Sequence, residues 1–124
     1  MRTPEDAPRL AEVGFDELQF SPTAWLYEGR KHGGTDISIF IVRQQPGGFV
    51  HLHTHPYPET FLVISGRGRW TAGDHTAELG PERMIAVPPN TLHGFRNLGD
   101  EPLHVVSVHE SGTLDQTFTE TEPA

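Results

Sequence analysis

The sequence predicts an all-β domain of the jelly-roll kind, and three features carry that expectation. Short runs of β-branched and aromatic residues follow one another at close, regular intervals, each closed by a turn signal. Eleven prolines and thirteen glycines interrupt the 124 residues too often for long helices. No heptad pattern or second unit stands out, and the length suits one compact domain.

The elements follow in order. Residues 1–14 are polar and proline-containing and read as an N-terminal arm. Phe15 to Phe20 suits a turn of helix or an edge strand, and Trp25-Leu26-Tyr27 has strand character that Gly29 stops. Ile37 to Val42 is β-branched and aromatic, and it runs into the turn Pro46-Gly47-Gly48. Thr60 to Ile64 is a further strand, ended by Gly66-Arg67-Gly68. Arg69 to Ala72 and Thr76 to Leu79 flank Gly73-Asp74, the pattern of a hairpin. Met84 to Val87 leads into Pro88-Pro89, and Phe95 to Asn97 and Leu103 to Val108 complete the set. The barrel is thus expected over 15–112. Residues 113–124 form a tail that adds an edge strand through Gln116-Thr117-Phe118 and then frays.

Composition narrows the function. A formal net charge of −8 repels a phosphate backbone, so nucleic acid is not an expected partner. The chain has no cysteine, which excludes disulfides and thiolate metal sites. No apolar run approaches membrane-spanning length, so a soluble, cytoplasmic protein is expected.

The chemistry concentrates in two segments. His53 and His55 are two residues apart, so on a strand their side chains leave the same face. Glu59 follows a Pro-x-Pro step, and His93 comes from a second strand region. A barrel can converge these three imidazoles and one carboxylate on a single metal ion; the bland alternative is polar residues on a solvated strand. His51 shares the face of His53 if the strand is regular, as a substrate contact, an outer donor or an alternative ligand; otherwise it is a rim histidine. His104 and His109 point to opposite faces of one strand, and His109 is preferred as the one lining the cavity. His32 and His75 lie in Gly-rich turns and read as solvent-exposed. Phe40, Phe49, Phe61, Trp70, Met84 and Phe95 are candidates for core and cavity, with Phe40 and Phe61 the substrate-facing choices. Arg43, Arg67, Arg69 and Arg96 offer a possible carboxylate clamp or are surface residues, and Arg96-Asn97 suits strand-end hydrogen bonding.

These segments resemble the two motifs of the cupin family. Gly47, His53, His55, Glu59 and Gly66 fit G-x5-H-x-H-x3-E-x6-G at every fixed position. Pro88, His93 and Asn97 fit P-x-G-x2-H-x3-N, with Asn90 at the usual glycine; the glycine that normally opens this motif falls on Glu82. The resemblance implies a double-stranded β-helix. It also implies His53, His55, Glu59 and His93 as ligands of one divalent transition metal: Mn, Fe, Ni, Co or Zn. Asn90 tolerates a left-handed backbone, whereas Glu82 suggests a turn of different shape.

A site with four protein ligands leaves two open positions for an oxygen-bearing small molecule. Two readings follow. One is a metal-dependent enzyme, an oxygenase (hence an oxidoreductase) or an isomerase or cyclase, acting on a small oxygen-rich and aromatic substrate, with Glu59 as catalytic base. The other is a non-catalytic binding protein with a structural or ligand-anchoring metal. Open sheet edges make a homodimer expected, with Trp25-Leu26-Tyr27 as the covering contact within the chain or across a two-fold axis.

Overall fold

The computed structural model describes residues 7–124, so the first six residues of the expected arm lie outside it. Among the described residues, a 3-10 turn at Phe15–Glu17 precedes eleven strands. They are β1 (Gln19–Ser21), β2 (Ala24–Glu28), β3 (Ser38–Gln44), β4 (Phe49–Thr54), β5 (Glu59–Ser65), β6 (Gly68–Ala72), β7 (His75–Leu79), β8 (Met84–Val87), β9 (His93–Asn97), β10 (Leu103–His109) and β11 (Thr117–Phe118). They form two antiparallel sheets, a six-stranded one ordered β1-β2-β3-β10-β5-β8 and a five-stranded one ordered β11-β4-β9-β6-β7. This is the jelly-roll barrel that the strand spacing predicts.

Alternation along the strands decides what faces inward. β3 and β10 bury every second residue, which places Phe40, Val42, Leu103 and Val105 between the sheets. Trp70 stacks on Phe95 with ring centroids 5.0 Å apart, and Phe61 meets both edge-on, closing one end of the barrel. Met84 does not join this core. It is 61% exposed, because Val87 sets the inward phase of β8 and turns Met84 outward.

One irregularity matters for the site. Val50 pairs with Phe95, but the next matched pair is His53 with His93, so β4 spends one more residue than β9. This bulge needs room. A Cβ on Gly94 would lie 2.5 Å from the Val50 carbonyl oxygen, so glycine opposite the bulge lets the two backbones close in.

The turns depart from expectation at one point. Gly47 and Gly66 take positive φ, and Gly66 could carry no Cβ, which would meet Pro102 O at 2.6 Å. Glu82 and Asn90 also take positive φ, 68° and 60°. The turn at Glu82 therefore keeps the left-handed backbone that glycine would favour, and the expected change of shape is corrected. The strain stays in the residue instead.

Trp25 is covered within the chain by Phe15, stacked at 5.5 Å, and by the Arg43 guanidinium at 5.1 Å. The tail forms β11 against β4 and then stays on the barrel rather than fraying. Leu52 N–H donates to Thr121 O, Thr119 N–H donates to Leu52 O, and Arg96 bonds Glu122 at 2.8 Å.

Candidate metal centre

Two cross-strand pairs and one loop residue build the centre. In the five-stranded sheet, β4–β9 register sets His53 opposite His93. In the six-stranded sheet, β5–β10 register sets Glu59 opposite His109. Residues directly opposite on adjacent strands project to the same face, so both pairs point into the barrel from facing walls. His55, in the short loop between β4 and β5, reaches in from the side. His53, His55, Glu59 and His93 are all buried, and one potential ligand atom from each lies within 4.8 Å of the others.

The backbone fixes which nitrogen each ring offers. His53 Nδ1–H donates to the His51 carbonyl at 2.9 Å, His55 Nδ1–H to Tyr57 at 2.7 Å, and His93 Nδ1–H to Thr91 at 2.7 Å. A carbonyl can only accept, so each bond holds the proton on Nδ1 and leaves Nε2 with its lone pair. Two of these nitrogens, on His55 and His93, lie 2.9 and 3.0 Å from Glu59 Oε1. Lone pairs that close to a carboxylate oxygen repel one another, and the arrangement is relieved by a cation between them. Three oriented imidazoles and a carboxylate, without sulfur, suit a divalent first-row ion.

His109 is wired differently. Its Nδ1 meets the Tyr57 hydroxyl at 2.8 Å and its Nε2 meets Glu59 Oε2 at 2.8 Å. The carboxylate requires a donor, so Nε2 carries the proton and Nδ1 accepts from Tyr57 O–H. Tyr57 Oη in turn accepts from Asp115 N–H at 3.3 Å, and its ring stacks on His55 at 4.3 Å. A hydrogen-bonded chain thus runs from the tail to Glu59 Oε2.

Electrostatics follow from these contacts. Burial alone would raise the Glu59 carboxyl, but its polar contacts with the surrounding histidines, the Nε2–H of His109 foremost, outweigh burial and hold the group well below its usual 4.5. Burial, with His93 adding, pushes His53 down to about 4, so it is neutral and able to ligate at neutral pH. Burial pushes the Tyr57 hydroxyl up to about 12, so it keeps its proton.

A cavity of about 250 Å³ opens beside His53, Glu59 and His109, and Phe40 and Phe61 line it as expected. His51 stands apart from the ligand group. The bulge breaks its parity with His53, so its side chain is exposed at the cavity rim, edge-on to Phe49. His75 is exposed and His104 half-buried; His32, expected in solvent, is half-buried against Tyr27, with ring centroids 5.5 Å apart. The arginines form no clamp: Arg43 lies over Phe15 and Trp25, Arg67 and Arg69 face Glu78, and Arg96 packs over Phe49. Asn97 bonds the Gln44 and Glu101 carbonyls, the strand-end role expected of it. The sequence reading missed Tyr57. It also missed Phe118, whose register opposite His53 stacks it on that ring at 4.6 Å.

The family model for the cupin domain matches residues 40–109, more than half of the chain, and takes in all four residues of the centre. The chain belongs to the cupin family. Among curated proteins, this cupin is 32% identical over 81 residues to mannose-1-phosphate guanylyltransferase RfbM of Salmonella typhimurium, a match covering 64% of the chain and 17% of the relative. It is 32% identical over 75 residues to polyketide synthase CurC of Streptomyces cyaneus, covering 60% and 49%. It is 29% identical over 118 residues to H2HPP isomerase of Bacillus subtilis, covering 90% and 49%. The cupin therefore spans half or less of these relatives. Among solved structures, an oxalate decarboxylase of Bacillus subtilis superposes with a TM-score of 0.75 at 23% identity, over 84% of this chain and 30% of the other. The Lactobacillus farciminis oxalate decarboxylase does so at 0.75 and 24%, over 83% and 34%. These superpositions establish the shared barrel.

Proposed function

We propose that this cupin is a metal-dependent enzyme of the isomerase type, moving a proton on a small, oxygen-bearing, aromatic substrate. The observation that carries the reading is the division of labour among the four buried histidines. Three hold their proton on Nδ1 and leave Nε2 bare, two of these nitrogens beside Glu59 Oε1, while His109 presents a proton to Oε2 and also faces the cavity. His53, His55, Glu59 and His93 would hold one divalent ion. Such an ion supplies Lewis acidity towards a substrate oxygen.

The chain's own groups then supply the rest. The phenylalanine walls bind the apolar body and exclude water from the inner cavity. Tyr57 fixes the tautomer of His109, and His109 holds its proton at Nε2, in reach of Glu59 Oε2. The base role expected of Glu59 alone passes in this reading to the Glu59–His109 pair. The match to an isomerase over 90% of this chain supports the choice. A proton-moving group beside the ligands favours isomerisation over oxygenation, which needs no such group at that place.

The test is metal analysis of the wild type and His53→Ala. It is followed by a screen of aromatic 1,2-dicarbonyl compounds and catechols in deuterated water, with oxygen uptake recorded in parallel. Metal-dependent deuterium incorporation without oxygen uptake is expected. Stoichiometric oxygen uptake would replace isomerisation by oxygenation, and equal metal content in both proteins would remove the metal site.

A further inference from the structure

Six phenylalanines line the cavity beside His53 and Glu59. Phe40 and Phe61 come from the six-stranded sheet, Phe49 and Phe95 from the five-stranded sheet, and Phe20 and Phe118 stand half-exposed at the rim. Its other lining groups, including Gln44, Ser107 and His109, carry no fixed positive charge, and among the described residues no Lys or Arg lines it. Each arginine that the sequence offered as a clamp is engaged elsewhere, with Phe15 and Trp25, with Glu78, or with Phe49 and Glu122.

Charge and size then act together. A divalent ion beside ionised Glu59 leaves one net positive charge, enough for one anionic group. A second negative charge in this cavity would meet no cation and would be desolvated among phenyl rings. The formal net charge of −8 disfavours a polyanion further. A cavity of about 150 Å³ holds a benzene ring; the roughly 250 Å³ available here has room for a ring and a short oxygen-bearing group.

Resting on the reading of His53, His55, Glu59 and His93 as a metal site, we infer that the cavity selects a single-ring aromatic monoanion carrying two adjacent oxygen atoms. Dianions such as oxalate and phosphorylated sugars are selected against.

Three probes separate the parts of this inference in the cobalt-loaded full-length protein, with binding read from the visible spectrum of the cobalt and by calorimetry. Acetohydroxamate and benzohydroxamate share one monoanionic chelating group and differ by a methyl against a phenyl; oxalate is a dianion without a ring. Each affinity is divided by that of the same probe for aqueous cobalt. Benzohydroxamate is expected to bind at least about tenfold tighter than acetohydroxamate, which reports the ring, with oxalate below both. Phe40→Leu, which keeps the core filled, should narrow the gap between the two hydroxamates. Equal binding of the two hydroxamates, or oxalate ahead of them, would overturn the inference while leaving the metal site standing. Equal cobalt content in the wild type and His53→Ala would instead overturn the metal reading, and this inference with it.

Discussion

The two walls of the centre use the same residue type for opposite purposes. On the five-stranded side, His53 and His93 send Nδ1–H to carbonyls of their own strand regions, at His51 and Thr91, and turn bare nitrogens inward. On the six-stranded side, His109 receives its bond from a hydroxyl, Tyr57, and turns a proton inward. The partner on the far side of the ring decides whether a buried histidine is a lone pair or an acid. That is chemistry no count of histidines contains, and it allows one small cavity to offer both a cation site and a proton.

Breaking one wall should therefore differ from breaking the other. His53→Ala and His55→Ala should lose bound metal at stoichiometric protein, read by elemental analysis. His109→Ala should keep it with affinity lowered about 10- to 100-fold, the usual effect of removing a group that orients a ligand. Equal losses would make His109 a ligand like the rest. Tyr57→Phe, which retains the ring on His55, should weaken metal binding less than His109→Ala does.

Gly94→Ala tests whether the bulge aims the first wall. The added carbon would meet the Val50 carbonyl at 2.5 Å, so a loss of about 1–3 kcal/mol in denaturant unfolding is expected, together with weaker metal binding. An unchanged protein would show that the bulge has slack.

Acid should act on both walls of the metal-free protein. His53 titrates near 4 in the fold against 6.5 ordinarily, so between those values the unfolded chain binds the extra proton. Stability should fall as pH drops from 6.5 to about 4, by on the order of 3 kcal/mol for this group. Glu59 adds stability that is present above 4.5 and lost as pH falls through its lower folded value. A flat unfolding free energy between pH 7 and 4.5 would contradict this. The smallest effect expected is at the strained turn: Glu82→Gly should stabilise by about 1 kcal/mol, since glycine adopts φ of 68° without strain.

What was legible follows from what is local. The hairpin at Gly73-Asp74 and the strand phases of β3 and β10 show in neighbouring residues, and the group of His53, His55, Glu59 and His93 shows in spacing. His109 could be separated from His104 by parity alone. His51 stayed open between the inward face and the rim because a bulge belongs to two strands at once; its trace in the sequence is Gly94, far along the chain. Tyr57 lies between Pro56 and Pro58, outside any strand, where no period says which way a side chain turns. Its one signal was an aromatic ring inside the ligand loop. Glu82 was misread because a substitution for glycine can change a turn or strain it, and only the backbone angle distinguishes the two.

The division of the histidines is tested most directly by nitrogen-15 NMR of the imidazoles in the zinc-loaded protein. Three rings, those of His53, His55 and His93, should carry their proton on Nδ1 and show a zinc-shifted Nε2, while His109 keeps a proton on Nε2, where the Glu59 carboxylate holds it. A zinc-shifted nitrogen on His109, or a proton on Nε2 of any of the other three, would contradict the account.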